Sequence, residues 1–158
     1  MAKSKAKAAK PKTPKLRAEP DREPRDQFAA LPWRRNADGA VEVLLITSRE
    51  TRRWVIPKGW PIKGLTAAKT AAREAYEEAG VSGDVAKKKL GAFHYDKRLA
   101  SGRLQHVKVT VYALRVEREA DAWPEKGQRD RQWTAPADAA AAVDEPELQA
   151  LIAAFKPA

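Results

Sequence analysis

The chain has 158 residues, no cysteine and a formal net charge of +10 at pH 7, which suits a single domain and excludes disulfides and thiolate metal sites. No apolar run approaches the roughly 18 to 20 residues of a membrane span, and the N-terminus lacks the apolar core of a secretory signal, so a cytoplasmic protein with no membrane partner is expected. The charge is concentrated at one end: Lys3, Lys5, Lys7, Lys10, Lys12, Lys15 and Arg17 precede the first acid, Glu19, and leave about +3 for the remainder.

Residues 1–25 are rich in Lys, Ala and Pro without apolar periodicity, and read as a disordered basic tail before a domain over residues 26–158. A solvated extension is the simplest role for it; a weak, salt-sensitive contact with nucleic acid or polyphosphate is the alternative. Strands are predicted over Gln27–Arg34 and Val41–Thr47, joined as a hairpin through Asn36-Ala37-Asp38-Gly39. Trp54–Ile56 gives a short strand, after which Pro57, Gly59 and Pro61 end regular structure. A helix follows, with Thr66 as N-cap, a small-residue face of alanines including Ala71, Ala75 and Ala79, and Gly80 as the left-handed C-cap. Lys87–Tyr95 and Leu104–Val116 are strand candidates, the second with Val107, Val109, Val111 and Ala113 on one face. Arg131–Thr134 adds a strand, and Pro136–Val143 and Pro146–Phe155 read as helices opened by proline in the first turn. Alternating strands and helices predict an α/β fold with helices on a mixed sheet.

One feature of the first helix runs against electrostatics. Glu74, Glu77 and Glu78 gather near its C-terminal end, where each acid opposes the macrodipole at a cost of about 0.3–1 kcal/mol and each like-charged pair adds roughly 0.2–0.5 kcal/mol. At 100° per residue Glu74 and Glu78 stack one turn apart with Glu77 beside them, largely opposite the alanines. A divalent cation reverses both penalties.

These residues carry a resemblance. Gly59, fourteen positions before Arg73, and then Arg73-Glu74-Ala75-Tyr76-Glu77-Glu78-Ala79-Gly80-Val81, are similar to the Nudix box, G-x5-E-x7-R-E-U-x-E-E-x-G-U, where U is a bulky aliphatic residue. Two positions depart from it: the first box glutamate is Leu65, and one aliphatic position is Ala75. Stretches outside the box, Val43–Arg49, Arg53–Pro57 and Gly127–Trp133, resemble the diphosphoinositol polyphosphate phosphohydrolase branch, whose members also hydrolyse dinucleoside polyphosphates. The resemblance implies a Nudix-type α/β/α sandwich with a mixed β-sheet and a hydrolase that requires Mg²⁺ or Mn²⁺. It also implies Glu74 and Glu78 as primary metal ligands, Glu77 as a third or water-mediated ligand, the Gly59 carbonyl as a further ligand, and Arg73 as the residue that orients a box glutamate.

The chemistry is reasonable in its own right. Water attack on a diphosphate needs negative charge neutralised, the nucleophile activated and the leaving phosphate stabilised, and clustered carboxylates around a hard cation can serve all three. Cations on the surrounding loops suit a polyphosphate chain, which makes Arg49, Arg53, Lys58, Arg129 and Arg131 the expected substrate contacts. His94 and His106 are set aside as ligands, since Mg²⁺ prefers oxygen. With Leu65 in the box, either the three remaining acids suffice or a downstream carboxylate such as Asp96, Glu117 or Asp130 joins them. The expected function is a metal-dependent pyrophosphohydrolase acting on a small soluble polyphosphate metabolite. A non-catalytic polyphosphate-sensing module and an RNA 5′-end pyrophosphohydrolase remain the alternatives.

Overall fold

The structure, a computed structural model, describes residues 21–157. Its strands are β1 (Asp21–Arg35), β2 (Val41–Thr47), β3 (Trp54–Val55), β4 (Lys58–Gly59), β5 (Val81–Val85), β6 (Gly91–Arg98), β7 (Leu104–Glu119) and β8 (Arg131–Thr134). Its helices are α1 (Ala67–Ala79), α2 (Pro136–Ala142) and α3 (Pro146–Ala154). Strand order runs β3-β2-β1-β7-β5, with β4 on β1, β6 on β7 and β8 on β2.

The described residues form two compact units. The larger takes Asp26–His94 and Lys108–Ala158; the smaller takes Tyr95–Val107 and the described residues before Asp26. Within the smaller unit the β6–β7 turn is closed by Leu99 and Arg103 and by a hydrogen bond between His106 Nδ1 and Asp96 Oδ1 at 2.9 Å. The larger unit holds α1 and the residues around it.

Side-chain alternation along β2 explains how that unit is layered. Val43, Leu44, Leu45 and Ile46 are all buried, so both faces of the strand are covered. Leu44 and Ile46 join Ala30, Val55, Val81 and Leu114 against Ala71, Ala75 and Ala79 of α1. Val43 and Leu45 point to the other face, and the helix that contacts β2 is α2, itself packed on α3. This is the expected α/β/α arrangement. The alanine stripe lets α1 lie close to the sheet, and Glu74 and Glu78, which flank that stripe rather than lie opposite it as expected, meet β4 beside it.

Both ends of α1 fall where the sequence puts them. Thr66 Oγ1 accepts from the Lys69 backbone N–H at 3.2 Å, and Gly80 closes the helix at φ 72° with its N–H donating to the Tyr76 carbonyl. Gly80 is required twice over, since a Cβ there would lie 2.4 Å from the Trp123 ring.

Four expectations need correction. The disordered tail expected over residues 1–25 lies outside the described residues except for its last five, which belong to β1; Pro24, Arg25 and Asp26 are exposed, so no apolar alternation marks the strand there. The loop after Trp54 contains a further short strand, β4, in register with β1 through Phe28 opposite Gly59 and Ala29 opposite Lys58; one unpaired edge of two residues is enough to form it despite the flanking prolines. The strand expected from Lys87 begins instead at Gly91, because Lys87–Leu90 is an exposed charged loop. Finally, β5 was not expected, since its middle residues Ser82, Gly83 and Asp84 are exposed and a bulge at Ser82/Gly83 breaks its register with β7.

Candidate active site

The site is built where β4 passes under α1. Gly59 sits on β4 with the Glu74 carboxylate directly against its backbone: an added Cβ would lie 2.4 Å from Glu74 Cδ and 2.5 Å from Oε2. Only glycine leaves that space, so the fourteen-residue separation of Gly59 and Arg73 is a packing requirement as well as a motif. Next to it, the Lys58 backbone N–H donates to Glu78 Oε1 at 3.4 Å, and Glu78 is 8% exposed, the one buried acid among the described residues.

Burial makes the two carboxylates poor anions. Desolvation first, then the neighbouring charges of Glu78, Glu77 and Glu125, push the Glu74 carboxyl up to about 8. The Glu78 carboxyl is also raised by burial, with Arg129 and Lys58 opposing the shift. Hydrogen bonding between the two raises Glu74 and lowers Glu78, as expected of paired acids of which only Glu78 has the cations Arg129 and Lys58 beside it. Glu77 lies further out, its partner being Arg73 Nη1 at 4.0 Å.

A loop between β7 and β8 closes the other side. Its Glu125 N–H donates to the Glu77 carbonyl at 3.0 Å and Ala120 N–H to the Gly80 carbonyl at 2.8 Å, which clips the loop to the end of α1. Arg129, its side chain only 9% exposed, spans three segments: Nε to Glu125 Oε1 at 2.9 Å, Nη2 to Glu78 Oε2 at 3.7 Å, and Nη1 to the Thr47 carbonyl at 3.1 Å.

The residues expected to act therefore separate into groups. Glu74, Glu78, Gly59, Lys58 and Arg129 come together, with Glu77 adjacent. Arg129 is turned to two carboxylates and a carbonyl. Arg73 is half exposed and lies 4.0 Å from Glu77, itself a box glutamate; the arginine beside Glu78 is Arg129. Arg131 also serves the fold: its Nη1 donates to the Ala79 carbonyl at 2.6 Å and its guanidinium lies 4.5 Å from the Trp123 ring centre. Arg53 pairs with Glu145 at 2.9 Å, ahead of α3, and Arg49 reaches Gln128 at 3.3 Å.

Of the downstream acids, Asp96 pairs with His106, Glu117 with Arg115 and Asp130 with Arg52. None of the three joins the cluster. The acid that does is Glu125, close enough to raise both Glu74 and Glu78. Its one sequence signal is the spacing to Arg129, an i,i+4 acid–base pair in a turn-rich stretch, which is easily read as surface.

The donor set fits a hard divalent cation. Among the described residues no three His, Asp or Glu side chains are gathered closely enough to enclose an ion by themselves. Mg²⁺ is ordinarily held by one or two carboxylates, with water and substrate phosphate in its remaining positions. The buried Glu78 carboxylate and the half-buried Glu74 carboxylate beside it, with the Gly59 backbone against them, match that pattern. Glu74 and Glu78 are the residues that would hold the ion.

A family model for the NUDIX domain matches residues 24–155. Nudix hydrolase 12, mitochondrial, from Arabidopsis thaliana is 34% identical over 96 residues, 59% of this chain and 47% of that protein. Nudix hydrolase 21, chloroplastic, from the same plant is 30% identical over 122 residues, 73% of this chain and 58% of that protein. The chain spans about half the length of the curated relatives it matches. Among solved structures, a C. elegans Ap4A hydrolase binary complex superposes with a TM-score of 0.59 at 23% identity, covering 81% of this chain and 92% of that one. The NUDIX domain of Shewanella oneidensis NrtR complexed with ADP ribose gives 0.58 at 17% identity, covering 89% and 96%. At those identities the structural likeness concerns the fold. No helix among the described residues is long and apolar enough to cross a membrane.

Proposed function

Because the chain belongs to the NUDIX family, whose hydrolases act on phosphoric anhydrides, we propose that it is a divalent-metal-dependent pyrophosphohydrolase of a small polyphosphate metabolite. The observation that carries this reading is the Glu74–Glu78 pair pressed against Gly59. Dinucleoside polyphosphates and diphosphoinositol polyphosphates are the substrate classes we favour. The likeness to an Ap4A hydrolase supports the first, and the stretches around Val43–Arg49 and Gly127–Trp133 support both. A cytoplasmic setting agrees with a chain that has no cysteine.

In this reading Mg²⁺ or Mn²⁺ neutralises phosphate charge and lowers the pKa of the attacking water. Glu74 and Glu78 would hold it, which requires the raised Glu74 carboxyl to be in its carboxylate form. Arg129 fixes the Glu78 carboxylate and takes Glu125 with it. The Lys58 ammonium, which already acts on Glu78, meets the phosphate chain. Glu77, paired weakly with Arg73, is left as a water-mediated ligand. Glu125 is an additional negative charge near the pair.

The test is phosphate release from a panel of dinucleoside polyphosphates, diphosphoinositol polyphosphates and 5′-triphosphorylated RNA, with Mg²⁺ or Mn²⁺, for the wild type and Glu78→Gln. Turnover of one class that falls by several powers of ten in the variant is expected. Binding of a diphosphate with no turnover of any would make the protein a sensing module instead.

A further inference from the structure

The larger unit contains a cavity of about 440 Å³ whose walls contribute nothing to the carboxylate site. One wall is aromatic: Trp33 of β1 meets Phe155 edge-on, ring centres 5.9 Å apart. Leu90 and Leu151 extend the apolar surface, and Arg115 and Lys156 bring cations to it. Leu90 is 37% exposed, one of two large exposed hydrophobic side chains among the described residues. An open cleft with apolar side chains and a few charged groups in its lining has the make-up of a small-molecule site.

The rim decides the sign of the ligand. Ala86 and Leu90 both line the cavity, and the loop between them is Lys87-Lys88-Lys89, all three exposed. Arg35 adds a guanidinium 6.0 Å from the Trp33 ring centre. Against these cations stand Asp84, which lines the cavity 3.7 Å from Arg115, and Glu117, which takes the same guanidinium at 3.0 Å. Positive charge predominates over a cavity with aromatic walls. That combination selects a planar ring carrying phosphate: the ring gains from burial against Trp33 and Leu90, and the phosphate from the lysine loop and Lys156.

We propose that the cavity bounded by Trp33, Leu90, Leu151 and Phe155, with its Lys87–Lys89 rim, is a second site that binds a nucleotide without hydrolysing it. Neither Glu74 nor Glu78 takes part, and binding there needs no divalent cation.

Isothermal titration of the full chain with AMP in a chelator tests this, because AMP contains no anhydride for the proposed activity to cleave. One AMP per chain is expected, bound more tightly than adenosine or inorganic phosphate alone. Replacing the rim (Lys87→Glu, Lys88→Glu and Lys89→Glu together) should weaken AMP at least tenfold, and Ala154→Phe, which fills the cavity from an exposed position, should weaken it as much; Glu78→Gln should leave it unchanged. Absence of AMP binding would overturn the proposal, as would wild-type affinity in Ala154→Phe. Loss of AMP binding in Glu78→Gln would also overturn it, by assigning the nucleotide to the carboxylates. None of these results bears on metal-dependent hydrolysis, so the two readings fail separately.

Discussion

Gly59→Ala is a mutation for which stability and activity should part company. Gly59 is outside the left-handed region, so alanine meets no backbone obstacle; its obstacle is the Glu74 carboxylate, 2.4 Å from the new Cβ. Ordinary contact begins near 3.4 Å, and the carboxylate must retreat by about 1 Å, which a flexible glutamate can do at small cost. Stability should change by less than about 1 kcal/mol, or roughly 2–4 °C in Tm for a chain of this size. Catalysis should not be so tolerant. A 1 Å displacement of a positioned group can cost on the order of 10²-fold, about 2.7 kcal/mol in activation free energy. The assay is turnover of the substrate identified in the panel, over a Mn²⁺ titration, beside a thermal melt. Wild-type turnover in a folded Gly59→Ala protein would refute the argument that Gly59 exists to seat Glu74; a fall in Tm large enough to explain the lost activity would refute its separation of the two effects.

Two further changes probe the carboxylate pair and its support. Because the Glu74 carboxyl is raised from its ordinary 4.5 to about 8, its contribution to stability is fully present below pH 4.5 and is lost as pH rises through 8. Discounted for the solvent that still reaches the group, this amounts to roughly 2 kcal/mol, or about 4–8 °C in Tm; melts in a chelator from pH 5 to 9 should show the decline, and Glu74→Gln should flatten it. Saturating Mn²⁺ should flatten it as well, and a metal-insensitive slope would contradict the assignment. Arg129→Gln leaves the buried Glu78 and the partly buried Glu125 without their shared cation, and should cost about 3 kcal/mol of stability together with a kcat loss that Arg129→Lys partly restores, whereas Arg73→Gln, at an exposed and distant pair, should change Tm by less than about 1 °C. Equal effects of the two arginines on Tm and kcat would refute the division of roles.

The parts of the fold legible in the sequence are those fixed by neighbours in the chain. Thr66 and Gly80 mark the ends of α1 because capping is local, and β2 is found because its apolar run is bounded by turns. β5 is not legible: Ser82-Gly83-Asp84 carries no alternation, and Gly83 is needed only because a Cβ there would lie 2.0 Å from the Arg115 carbonyl of β7. The site divides the same way. Gly59, Glu74, Glu77 and Glu78 lie within one box and its spacing reveals them. The cations do not, because their partners are distant in sequence. Arg53 pairs with Glu145, 92 positions away, and Arg129 with Glu78. A basic residue near an acidic site reads as a substrate contact until the fold shows which acid it already serves. Glu125 escaped for the same reason, since only the return of the β7–β8 loop to the end of α1 makes it a neighbour of Glu74.

The central claim is that Glu74 and Glu78 are paired to receive a divalent cation, and Mn²⁺ binding measures it most directly. Titration of the wild type at pH 7, followed by the electron paramagnetic resonance of free Mn²⁺ and by calorimetry in two buffers of different ionisation enthalpy, should show a bound ion and release of close to one proton, the proton Glu74 retains without metal. Glu74→Gln should weaken binding at least tenfold and abolish the proton release. Equal Mn²⁺ affinity in wild type and Glu74→Gln, or binding with no proton released at pH 7, would contradict the account.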